Sequence, residues 1–183
     1  MISIKQIDEA FIGFRDAVVG SPNLCPKNKE LIALSSSAIV DCQPCVELHY
    51  KGAVAAGATA GEIAEAIALA QAVASGKIKI KTNDYITKVQ GSPVAIGKID
   101  DAFGGFRNAV VGSPNLQPKI KELIALADAA IIDCQPCVEL HYKGAVSAGA
   151  SEGEIAEAMA LAMAVASGKI KLKTNQYLAG LEK

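Results

Sequence analysis

Two stretches of this chain, Asp41–Val54 and Asp133–Val146, are identical letter for letter, and together they hold four of its five cysteines and both of its histidines. Each reads Cys-x-x-Cys-x-x-x-His, giving Cys42, Cys45 and His49 in one copy and Cys134, Cys137 and His141 in the other. On a helix, positions spaced three, four and seven apart share a face. The free amides and dipole at a helix start stabilise a thiolate, and an imidazole one turn on can accept the thiol proton. Such a cluster combines an ionisable nucleophile, a resolving thiol and a base. It suits thiol–disulfide exchange, or attack on a peroxide followed by disulfide closure. The four-residue step favours proton transfer from Cys45 to His49, whereas exposure at a helix start favours Cys42 as the attacking thiol. Either remains open.

Other chemistries fit less well. Two thiolates and an imidazole can bind zinc, with Asp41 or Glu47 offering an oxygen. Structural zinc sites usually gather ligands from separated elements, however, and here three sit on one short segment. Haem attachment needs a histidine directly after the second cysteine, and Val46 and Val138 stand there. An inert apolar pair leaves the histidine in register unexplained. Cys25, whose counterpart in the second copy is Gln117, reads as a small residue near a helix start. Tyr50 and Tyr142 read as packing residues, and Lys51 and Lys143 as solvated ones.

The elements that position these clusters recur at a shift of 92 residues, without a gap. The expected organisation is a first repeat over 1–90, a linker over 91–97 and a second repeat over 98–183. In the first repeat, Ile4, Ile7, Phe11, Phe14 and Val18 form one apolar helical stripe that stops at Gly20. A second helix is predicted from Pro26 through Ala38, and a third with Asp41 as N-cap, Pro44 in its first turn and Gly57 at its stop. Thr59 with Glu62, and Ser151 with Glu154, spell capping boxes opening an Ala-rich fourth helix. The segment 77–81 alternates like a strand but has nothing obvious to pair with, and reads as helix or irregular. The expected fold is all-α, with about five helices per repeat and internal pseudo-twofold symmetry.

Composition narrows the class. The chain has 183 residues, half of them apolar, yet only 4% aromatic and without tryptophan, which favours closely packed helices. Its net charge of −1, spread without a basic patch, argues against nucleic acid or an anionic membrane surface as partner. The most apolar stretches, around 63–74 and 155–166, contain Glu65 and Glu157 and are too short to span a bilayer. The first residues lack signal-peptide character, so a soluble, cytoplasmic protein is expected. Thiols stay reduced there, which favours redox or metal use over structural disulfides.

Glu30 lies twelve residues before Cys42, and Glu122 twelve before Cys134. The order Glu, Cys-x-x-Cys-x-x-x-His, then Ala-x-x-x-Gly-Ala-(Ser/Thr)-x-x-Glu-Ile-x-Glu-Ala resembles the carboxymuconolactone decarboxylase superfamily, and more narrowly its alkylhydroperoxidase AhpD-like branch. The resemblance covers about residues 26–75 and 118–167. It implies an all-helical AhpD-like bundle, a peroxide- or disulfide-reducing site, and Glu30, Cys42, Cys45, His49 with Glu122, Cys134, Cys137, His141 as the catalytic sets. It also implies a homotrimer of fused pairs, similar to the hexamers of single-unit members, and a dithiol, thioredoxin- or lipoyl-type electron donor, with no cofactor. The decarboxylase members lack the cysteine pair, which argues against lactone decarboxylation.

The chain departs from that pattern in two places. Pro44 and Pro136 stand where the alkylhydroperoxidase has a second histidine, which inclines the reading toward disulfide substrates. Both copies keep the full motif, whereas that enzyme is similar to a duplicated chain with one working half. Taken as helix geometry alone, Glu30 in an antiparallel hairpin comes within ~8 Å of His49, a gap for two side chains and one water. The expected function is a thiol-dependent oxidoreductase reducing disulfides or organic hydroperoxides. The alternatives are a zinc-binding module and an oligomeric scaffold without turnover.

Overall fold

The computed structural model describes residues 4–92 and 97–181. Residues 93–96, most of the expected linker, lie outside the described residues, as do 1–3 and 182–183. Eight helices follow one another, and no strand occurs among the described residues: α1 (Ile4–Gly20), α2 (Pro26–Ile39), α3 (Gln43–Ala55), α4 (Ala60–Gln90), α5 (Lys98–Gly112), α6 (Pro118–Ile131), α7 (Gln135–Ser147) and α8 (Glu152–Leu181). Each repeat thus carries four helices where about five were expected. The difference lies in 77–81, which is helical: α4 runs unbroken through Gly76 and ends only at Gly91, in the left-handed conformation (φ 79°). Both capping boxes are present. Glu62 N–H donates to Thr59 Oγ1 at 3.1 Å and Thr59 N–H to Glu62 Oε2 at 2.7 Å, with Ser151 and Glu154 doing the same at 3.2 and 2.8 Å.

The two repeats are interlaced. Helices α2 and α6 pack on each other at the centre, and each touches both long helices, α4 and α8; α1 lies on α8 and α5 on α4. Every contact of one repeat therefore has its image in the other, as a twofold arrangement requires. Leu31, Ile32 and Leu34 with Leu123, Ile124 and Leu126 are fully buried there, and each such side chain stabilises the fold by about 1.5–3 kcal/mol. The small side chains Ala66, Ala70 and Ala72 of α4 are buried as well, as expected of helices in close approach. On α1 the apolar stripe is only partly used. Val18 is buried but Ile7 is exposed, and the side chain of Ile4 lies outside the described residues.

Buried ion pairs also cross between repeats. Glu157 of α8 meets Lys29 of α2 at 2.8 Å, and Glu65 of α4 meets Lys121 of α6 at 2.7 Å. The second oxygen of Glu157 accepts from Ser21 Oγ and the amides of Asn23 and Leu24. That of Glu65 accepts from Ser113, Asn115 and Leu116. A charge inside an apolar helix needs such partners, which explains the two glutamates in otherwise apolar stretches.

Candidate active site

Each cysteine pair sits at a tight hairpin corner. Helix α2 closes in a Schellman motif, with Asp41 N–H on Ala38 O and Cys42 N–H on Ser37 O, both at 3.1 Å. Asp41 occupies the left-handed position of that motif (φ 55°), and Asp133 does the same after α6. Asp41 is therefore not the N-cap of α3, as the sequence suggested. Cys42 is, and it provides no side-chain cap to the first-turn amides. Cys134 holds the equivalent place on α7. The sulfur at each corner thus stands beside uncapped N–H groups at the positive end of a helix.

Within each pair the sulfurs are bonded, Cys42 to Cys45 and Cys134 to Cys137, with Cα atoms 5.3 and 5.2 Å apart. All four cysteines are buried, so exposure does not favour one member of a pair over the other. Among the described residues no cluster of three or more His, Cys, Asp or Glu side chains is arranged to hold a metal ion. A bonded sulfur is not a thiolate, so in this state neither pair offers zinc its ligands. Cys25 is exposed and forms the N-cap of α2.

His49 stands one turn beyond Cys45, and its Nδ1 lies 2.8 Å from Glu30 Oε2; His141 and Glu122 repeat the contact at 2.8 Å. The bond is direct, where the sequence geometry allowed only a water-bridged approach. Gly52, within α3 and three residues before its end, is the reason. A Cβ placed there would come 2.5 Å from the Glu30 carboxyl group, and one on Gly144 would meet Glu122 at the same distance. The absent side chain lets α2 lay its glutamate against α3. Gly52 and Gly144 thus shape the candidate site, and the sequence reasoning missed them. Their signal was a glycine in a helix interior, where it is unfavourable without a packing reason.

An ionised carboxylate only accepts hydrogen bonds, so the Nδ1 facing it must carry the proton. In the neutral ring that fixes the tautomer and makes Nε2 the nitrogen able to accept a proton. His49 and Glu30 are each partly exposed, at 22% and 31% of the side chain. The structure therefore brings Glu30 and His49 together, bonds Cys42 to Cys45, and places both pairs on the α2–α3 hairpin. It does the same for Glu122, His141, Cys134 and Cys137 on α6–α7.

Comparison with known proteins agrees with this fold. The model of the carboxymuconolactone decarboxylase family matches residues 5–80 and again 98–175. A Paracoccus denitrificans protein named "Uncharacterized protein 4 in cox locus" is 37% identical over 84 residues, covering 46% of this chain and 76% of that one. Alkyl hydroperoxide reductase AhpD of Mycolicibacterium paratuberculosis is 28% identical over 67% of each chain, and that of Mycolicibacterium smegmatis 34% identical over 46% of this chain and 48% of its own. A crystal structure of a chain described as a gamma-carboxymuconolactone decarboxylase subunit, from Burkholderia xenovorans LB400, superposes with a TM-score of 0.77 at 19% identity. It covers 97% of this chain and 87% of that one, and shows likeness of fold. With two successive matches to one family model, the chain belongs to the carboxymuconolactone decarboxylase family, in an AhpD-like form that carries the family's unit twice.

Proposed function

We propose that this protein is a thiol-dependent oxidoreductase that reduces disulfides or organic hydroperoxides by cycling Cys42/Cys45 and Cys134/Cys137 between dithiol and disulfide. The observation that carries the reading is the bonded cysteine pair one helical turn from a histidine whose Nδ1 is tied to a carboxylate, present in both repeats. In the reduced form, Nε2 of His49 or His141 takes a proton from one thiol of its pair. With a disulfide substrate, the thiolate attacks one substrate sulfur and the other leaves, taking the imidazolium proton. The second cysteine then attacks the mixed disulfide, releases the remaining substrate thiol and closes the protein disulfide. With a hydroperoxide, the thiolate attacks the terminal oxygen and the O–O bond breaks. The alkoxide leaves as alcohol with the imidazolium proton, and the resulting sulfenic acid condenses with the second thiol, releasing water.

A dithiol donor of thioredoxin or lipoyl type returns the two electrons. Pro44 and Pro136 place no second imidazole between the cysteines, which favours disulfides over peroxides as substrate. The names of the AhpD relatives keep the peroxide in view. The cytoplasm supplies the reducing conditions this cycle needs, and no helix among the described residues is long and apolar enough to cross a membrane. The working assembly is a homotrimer. Exposed apolar residues such as Leu48 and Val54 on α3, and Leu140 and Val146 on α7, support burial against other copies; a monomer in light scattering would overturn it.

The test of the cycle is thiol titration coupled to turnover. Four thiols per chain, those of the two bonded pairs, are expected to be lost together under mild oxidant and to return with a dithiol reductant. The double variant Cys45→Ser, Cys137→Ser is expected to lose all turnover. Unchanged activity in that variant would reject the mechanism.

A further inference from the structure

Each long helix reaches the cysteine corner of the other repeat. Lys169, on α8, donates from Nζ to the carbonyl oxygens of Val40 and Asp41, at the corner that leads into Cys42. Its ammonium is also 3.9 Å from the Asp41 carboxylate. Lys77, the matching residue on α4, donates to the carbonyl oxygen of Asp133 at 3.0 Å, one residue before Cys134. Val73, four residues earlier on the same face of α4, belongs to the buried cluster that contains Cys134 and Cys137. One face of α4 therefore backs the second repeat's sulfurs with a methyl-bearing side chain and holds their corner with a cation.

The placement has an electrostatic consequence. Val40 and Asp41 stand at the C-terminal end of α2, where free carbonyls form the negative pole of the helix. A thiolate at Cys42 develops one peptide away from that pole and is repelled by it. An ammonium on those same carbonyls offsets the repulsion and fixes the corner on which Asp41 holds its left-handed conformation. The peptide joining Asp41 to Cys42 is itself the acceptor.

Resting on the reading of these cysteines as reactive thiols, we propose that Lys169 and Lys77 are positioning residues for the cysteine pair of the opposite repeat, so that neither dithiol site is complete within its own repeat. The two sites can be read separately in one molecule. Trypsin releases Cys42 and Cys45 within residues 30–51, and Cys134 and Cys137 within residues 122–143, peptides of different mass.

The experiment reduces the full chain, alkylates it with iodoacetamide across a range of pH, and follows each peptide by mass spectrometry. In Lys169→Met, the rate at neutral pH for the 30–51 peptide falls about two- to fivefold and its midpoint moves to higher pH, the size expected of one cation at a helix terminus. The 122–143 peptide stays at the wild-type rate. Lys77→Met gives the mirror result, and Lys169→Arg restores the 30–51 peptide. If Lys169→Met loses its helical circular dichroism, Lys77→Met and the arginine variant decide the matter. Equal slowing of both peptides, no change in either, or an effect confined to the lysine's own repeat would overturn the proposal. The assay needs no substrate, so failure to turn over disulfides or hydroperoxides counts against the proposed function and leaves this readout intact.

Discussion

Gly52 occupies the interior of α3, where glycine costs about 0.5–1 kcal/mol relative to alanine, and it is repaid by the contact between Glu30 and His49. A Cβ at Gly52 would strike the end of the Glu30 side chain. That end is flexible and can swing away at little cost, so stability and function separate here. Gly52→Ala with Gly144→Ala is expected to leave the melting temperature unchanged or raise it by the equivalent of up to about 1 kcal/mol. Turnover falls by ~10- to 100-fold as each imidazole loses its anchoring carboxylate. Either single variant keeps about half the activity through the other site. Thermal melts and a disulfide-reduction assay on one preparation check both halves; lost stability with retained turnover would sink the argument. Residue types and spacing were enough to single out Cys42, Cys45 and His49 as candidates, and the family resemblance added Glu30. The direct bond was not legible, because ordinary helix separation was assumed and a missing methyl group leaves no mark in a spacing argument.

At the scale of the element, the hairpin corner shows why a good motif was assigned the wrong role. Aspartate favours helix N-caps, and it is also among the few non-glycine residues that tolerate a left-handed backbone. With only the corner residues between α2 and α3, the Schellman closure of the first helix claims Asp41 before the second can use it. Cys42 inherits the cap position, where uncapped amides would stabilise the proposed thiolate. Replacing Asp41 by glycine removes the strain of φ 55° and is expected to stabilise the chain by about 0.5–1 kcal/mol. Asp41→Val, which cannot adopt that backbone cheaply, costs about 1–2 kcal/mol. Urea unfolding of the three proteins checks the order. A glycine variant less stable than wild type would mean that the carboxylate near Lys169, and not the backbone, governs the corner. The capping boxes at Thr59 and Ser151 were legible because two residue types at one spacing must agree. The fate of 77–81 was not, since its alternation is compatible with the exposed end of a long helix such as α4.

Across the whole molecule, the repeat was plain from the sequence, but the exchange of partners between repeats was not, because Lys29 and Glu157 become neighbours only through the twofold packing. A buried break in that symmetry is Asp128, on α6 where the first repeat has Ser36. Its carboxyl group faces Ser35 and Ser36 of α2. Burial pushes its pKa up from 3.8 to about 7, against the pull of those two hydroxyls. Between these values the folded chain holds a proton that the unfolded chain has released, so stability falls as pH rises through that window and levels off above it. Glu65 and Glu157 work in the opposite sense. Burial raises both carboxyls, yet their lysine, serine and asparagine partners outweigh it and hold them below the usual 4.5. Their contribution is present above that value and fades as pH falls through the lowered one. The wild-type stability curve is therefore expected to peak on the acid side of neutrality, near pH 5. Asp128→Ser, which copies the first repeat, removes the upper slope. Its advantage over wild type grows from pH 4 to pH 7 by on the order of 2–4 kcal/mol, about three pKa units less the relaxation of a buried site. Because any cavity left by the substitution costs the same at every pH, the change in the difference between the two curves is the quantity to read from denaturant titrations. A difference that stays constant with pH would show that Asp128 is ionised in the folded core.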